Sequence, residues 1–99
     1  MPLCITANYL IRQDSGERVV SAIREFVDEM RRSEPGMITY LSLQDAVNPQ
    51  RFMHVMVFAD ERANDAHRAA AFTKRFTEKL TPELLGDVKF GDYDVVAAK

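Results

Sequence analysis

Ninety-nine residues, 46% of them hydrophobic and 28% charged, are enough for one domain with a real core and too few for two. A formal net charge of −2 with no basic stripe excludes the usual nucleic-acid binders. The lone cysteine, Cys4, leaves no internal disulfide, no Cys/His cluster has zinc spacing, and no run reaches membrane-spanning length. The expectation is a cytoplasmic protein with no metal, no nucleic acid and no membrane among its partners.

Ile5 to Arg12 reads as a first strand, rich in β-branched and aromatic residues. Asp14, Ser15 and Gly16 make a turn, and Asp14 with Glu17 three residues on has the form of a capping box. Val19, Ile23, Phe26, Val27 and Met30 then fall at helical spacing, with charged residues on the opposite side. Glu34-Pro35-Gly36 ends this helix, because proline cannot continue it and glycine permits the sharp turn. Met37 to Gln44 is a second strand, Asp45 to Gln50 a hairpin loop, and Phe52 to Ala59 a third strand. Asp60 can cap a short helix through about Arg68. Phe72, Phe76 and Leu80 mark another helix at i, i+4, i+8, and Thr81-Pro82 opens one more turn that closes at Gly86. Asp87 to Ala97 is the last strand, with an irregularity expected at Gly91-Asp92.

The third strand, Phe-Met-His-Val-Met-Val-Phe-Ala, is apolar on both faces except for His54. A half-exposed strand alternates with period two, so this one must be covered above and below. The order β-α-β-β-α-β, with right-handed crossovers, puts both helical segments on one face of a four-stranded sheet. The other face is left bare, and a symmetric homodimer is the economical cover.

Glu34-Pro35-Gly36 leading to Tyr40, then Asn48-Pro49-Gln50-Arg51-Phe52, Phe58-Ala59-Asp60-Glu61 and Asp65-Ala66-His67 together resemble the antibiotic biosynthesis monooxygenase domain, over nearly the whole of residues 1–99. The resemblance implies an α+β, ferredoxin-like fold that pairs into a dimeric α+β barrel, with a cavity between sheet and helices. It also implies oxygenation of a small phenolic or quinol-type aromatic substrate by dioxygen, with no cofactor. An electron-rich phenol, once deprotonated, can itself reduce dioxygen, so a base and hydrogen-bond donors suffice. By the same resemblance His54, His67 and Asn8 are the candidate catalytic residues, and Phe58, Phe72, Phe76 and Tyr40 the candidate substrate contacts. Phe76 stands about where the haem-degrading branch carries an iron-ligating histidine, so haem ligation is not expected. The residues alone leave alternatives open. His54 and His67 can be satisfied core or surface histidines, Asn8 a buried amide on the backbone, and the phenylalanines simple core. The same acid–base groups would also suit an isomerase or cyclase acting on a carbonyl substrate, and a cavity without turnover would make a ligand-binding dimer.

Overall fold

The computed structural model describes residues 2–99. The elements follow in the order β1 (Leu3–Ile11), α1 (Gly16–Ser33), β2 (Met37–Gln44), β3 (Arg51–Phe58), α2 (Glu61–Ala69), α3 (Ala71–Leu80), a 3₁₀ turn at Thr81–Glu83, and β4 (Leu84–Asp94). The strands form one antiparallel sheet in the order β2-β3-β1-β4, the ferredoxin-like arrangement. The return crossover holds two helices, broken at Ala70, whose extended backbone (φ −64°, ψ 142°) cannot continue α2.

Pairing register decides which side chains see the helices. Phe52, His54, Met56 and Phe58 of β3 are all buried, whereas Met53, Val55 and Val57 between them are only half-buried. Across the ladder, Phe52 pairs with Tyr9, His54 with Ala7 and Ser42, and Met56 with Ile5 and Tyr40, so these share the helix-facing side. Val19, Ala22, Ile23, Phe26 and Met30 of α1 supply the buried stripe packed there, together with Phe76 and Leu80 of α3. Each large apolar side chain enclosed this way contributes about 1.5–3 kcal/mol. The far side of the sheet has no such cover among the described residues: Leu10, Leu41, Leu43, Leu85 and Tyr93 are 38 to 59% exposed.

Four local expectations are corrected. The first turn of α1 has no capping box: its N-cap is Ser15, whose backbone is αR and whose hydroxyl makes no cap bond. Fully buried Ser15 instead donates through Oγ to Glu83 Oε1 at 2.7 Å, and Arg18 grips the same carboxylate, tying α1 to the segment before β4. β1 begins earlier, at Leu3, because it pairs along its full length with β3. β4 spans 84–94 rather than 87–97, and Gly86 lies inside it at φ 79°, a conformation only glycine takes without strain. That glycine accompanies the register shift between Asn8 and Leu10, so the irregularity is there and not at Gly91-Asp92.

Candidate active site

Helix α2 places His67. Asp60 caps its first turn by accepting from the Ala63 N–H at 2.9 Å. At Gly36 an added Cβ would lie 2.8 Å from the Ala63 side chain, so only glycine lets α2 sit this close to the α1–β2 turn. One turn further along α2, His67 Nδ1 lies 3.1 and 3.2 Å from the two carboxylate oxygens of Glu34. Both side chains are enclosed, with exposures of 7 and 10%. Burial pulls the His67 pKa below its ordinary value, and the Glu34 charge and hydrogen bond oppose that pull. A carboxylate on Nδ1 fixes the imidazole as the Nδ1–H tautomer and makes Nε2 the basic nitrogen. Nε2 has no hydrogen-bond partner among the described residues, and no fully enclosed side-chain polar atom there lacks one, so Nε2 is not completely enclosed although His67 is only 5% exposed.

His54 lies deeper, 2% exposed, and both ring nitrogens are occupied. Tyr9 Oη is 2.7 Å from Nε2 and Ser42 Oγ 3.3 Å from it, while the Tyr40 hydroxyl is hydrogen-bonded to Nδ1. Desolvation pushes its pKa down to about 4. The unfolded chain's imidazole titrates near 6.5, so between those values the unfolded state binds a proton that the folded state refuses. The consequent stability is complete above about pH 6.5, is lost as pH falls to about 4, and amounts to about 3 kcal/mol; His67 adds in the same sense. Denaturant titrations at pH 7 and pH 4.5 should show this loss, and His54→Gln should remove most of it. An unchanged pH dependence in that variant contradicts the placement of His54.

Aromatic rings connect the two histidines. Tyr40 is 5.5 Å from His54 and 6.1 Å from His67, centroid to centroid. Phe58 and Phe26 flank His67 at 5.5 and 5.6 Å, and Phe76 lies 5.9 Å from His54 and stacks on Phe26 at 4.5 Å. Burial pushes the hydroxyl pKa of both Tyr9 and Tyr40 upward, so both stay neutral hydrogen-bonding groups. Enclosure is graded: Phe58, His54 and Phe76 are buried, whereas Tyr40 and Phe72 are half-buried.

The structure gathers His54, His67, Tyr40, Phe58, Phe72 and Phe76 into this layer, but not Asn8. Asn8 pairs with Met53 and Lys89 on the bare side of the sheet and is exposed, so it cannot act with the histidines of the same chain. Its neighbour Tyr9 occupies the inward position. Glu34, Ser42 and Phe26 also belong to the layer and were not among the sequence candidates. Glu34 was legible only as the end of a helix, and Ser42 only as strand. Around His54 the space is packed solid by Tyr9, Tyr40, Phe52 and Phe76. A groove between α1 and α3, lined by Ala22, Phe72 and Phe76 among others, offers only about 10 Å³, room for a single water. Among the described residues no three or more His, Cys, Asp or Glu side chains converge to hold a metal ion, and no helix is long and apolar enough to cross a membrane.

The sequence model of the family described as antibiotic biosynthesis monooxygenase matches residues 2–79, from β1 to the end of α3. The chain belongs to that family. An uncharacterized protein of Synechocystis is 30% identical over 84 residues, covering 85% of this chain but 56% of that protein. The chain therefore spans little more than half the length of this relative. Among solved structures, a protein from Nitrosomonas europaea, provisionally described as an antibiotic biosynthesis monooxygenase, superposes with a TM-score of 0.91 at 20% identity, covering 96% of this chain and 90% of its own. A Shewanella oneidensis protein superposes with a TM-score of 0.82 at 25% identity, covering 93% of this chain and 88% of its own. At such identities the first likeness speaks for the fold alone; the chemistry rests on the residues above.

Proposed function

We propose that this chain is a small cofactor-independent monooxygenase that oxidises a phenolic or quinol-type aromatic to a quinone, and that His67 is its base. The observation that carries this reading is the His67–Glu34 pair: a largely enclosed carboxylate on Nδ1, an Nε2 without a partner among the described residues, and the Phe26 and Phe58 rings beside the imidazole. The planar substrate approaches His67 past the half-buried Tyr40 and Phe72, and Nε2 takes the phenolic proton. The phenolate supplies electrons to dioxygen. One oxygen atom becomes the new ring carbonyl, the other leaves as water, and the substrate itself is the only reductant. Glu34 balances the imidazolium formed in that step. A second copy of the chain covers the bare sheet face, giving a homodimer with one such site per subunit.

Oxygen uptake by metal-free protein with a dihydroxynaphthalene or an anthrone tests the reading. The expected result is one dioxygen consumed per quinone formed, well above the buffer rate. No rate above buffer contradicts it, and product formed equally fast without oxygen marks the site as a proton-transfer isomerase instead.

A further inference from the structure

The oxygenase reading gives His67 a task and leaves His54 without one, although His54 is the only polar side chain on the helix-facing side of β3. Its hydrogen-bond arithmetic supplies one. A neutral imidazole carries a single N–H, so one nitrogen donates and the other accepts. Three hydroxyls surround the ring, two at Nε2 (Tyr9 at 2.7 Å and Ser42 at 3.3 Å) and one, Tyr40, at Nδ1. If the proton sat on Nε2, it would point at the Tyr9 oxygen. Tyr9 is 5% exposed and has no other hydrogen-bond partner among the described residues, so its own O–H would be buried without an acceptor. Stranding a donor in that way costs the full desolvation of the group. With the proton on Nδ1, Tyr9 donates to Nε2, Ser42 can donate to the same lone pair, and Nδ1–H donates to the Tyr40 oxygen. The one proton then left over is that of Tyr40. Tyr40 is half-buried, its ring 6.1 Å from that of His67, so a ligand oxygen held beside His67 would be the acceptor for it.

We propose that His54 is a positioning residue: Tyr9 and Ser42 hold it as the Nδ1–H tautomer, and by donating to Tyr40 it turns the Tyr40 O–H outward as a donor to an anionic oxygen beside His67. The ligand class is a phenolate or enolate, whose oxygen sits between His67 Nε2 and Tyr40 Oη. Tyr40 holds the charge that His67 creates, and its own high pKa keeps it a neutral donor at every working pH. The inference rests on the oxygenase reading only for placing an oxyanion beside His67; the tautomer itself does not depend on any reaction.

Nitrogen NMR of protein labelled with ¹⁵N-histidine, at pH 7, reads the tautomer directly in the unaltered chain. The expected result for His54 is a protonated Nδ1 and a lone pair on Nε2; the reverse assignment overturns the proposal. The second measurement is binding of 4-nitrophenolate, followed by absorbance without oxygen. His54→Gln can keep the polarity, its amide nitrogen donating to Tyr40 and its amide oxygen accepting from Tyr9, and should bind within about twofold of wild type. His54→Leu and Tyr40→Phe should each lose about tenfold, the scale set by a hydrogen bond to a charged oxygen. Equal affinity in wild type, His54→Leu and Tyr40→Phe overturns the proposal. Because neither measurement involves turnover, a failed oxygen-uptake assay leaves this result readable.

Discussion

Replacing His67 with glutamine is expected to lower kcat by about 10²–10⁴-fold while leaving the fold intact. Glutamine fills a similar volume and can still hydrogen-bond Glu34, but it cannot accept a proton from a phenol. The loss belongs in kcat, because the proposed substrate contact at Phe72 is untouched. Glu34→Gln separates the two parts of the pair. Burial lowers the His67 pKa and the Glu34 charge opposes that, so removing the charge lets the pKa fall further. The acid limb of the pH–rate profile should therefore move to lower pH in Glu34→Gln, with a plateau reduced by about tenfold as the imidazolium loses its counter-charge. Steady-state kinetics from pH 5 to pH 9 checks both variants. A limb that stays in place, or one that moves to higher pH, contradicts the assignment of His67 as the base.

Placing aspartate at Val55 should break the proposed dimer. Val55 lies mid-strand on β3, opposite Thr6 and Leu41, at the centre of the bare face. In an isolated chain that position is only half-buried, so the carboxylate remains partly hydrated and the fold survives. Between two facing sheets the same carboxylate is trapped in an apolar layer, and two copies approach each other across the symmetry axis. Disruption at the centre of an interface costs about 2–4 kcal/mol, which raises the dissociation constant about 30- to 1000-fold. Sedimentation velocity at micromolar concentration should show a wild-type dimer and a folded Val55→Asp monomer. A wild-type monomer, or an unchanged dimer in the variant, contradicts the proposed interface.

Much of the layering was legible because β3 breaks the period-two rule. Seven apolar residues around one histidine demanded cover on both sides, and the helix-facing residues are indeed the more buried set. The faces of β1 were harder. Asn8 and Tyr9 are adjacent, and a one-residue error in parity exchanges inside for outside. Only the pairing of Tyr9 with Phe52 settles which points inward. β4 misled for a related reason: Gly86 and the register shift interrupt its alternation, so its start could not be read from pattern. Glu34 escaped notice because its contact with His67 spans 33 residues and depends on the close approach of Gly36 to Ala63, which no local signal encodes. Ser42 joins His54 through cross-strand register, again a tertiary fact.

The most direct test of the central claim is the ionisation state of a bound phenol. 1-Naphthol bound to the protein at pH 7, without oxygen, is observed by ultraviolet absorbance, since naphthol and naphtholate absorb at different wavelengths. When the pH is then raised, the naphtholate band of the bound molecule should appear at lower pH with wild-type protein than with His67→Gln, because only the wild type offers the phenolic oxygen a positioned base. A naphtholate band that appears at the same pH in both proteins, or at higher pH in the wild type, would contradict proton abstraction by the His67–Glu34 pair.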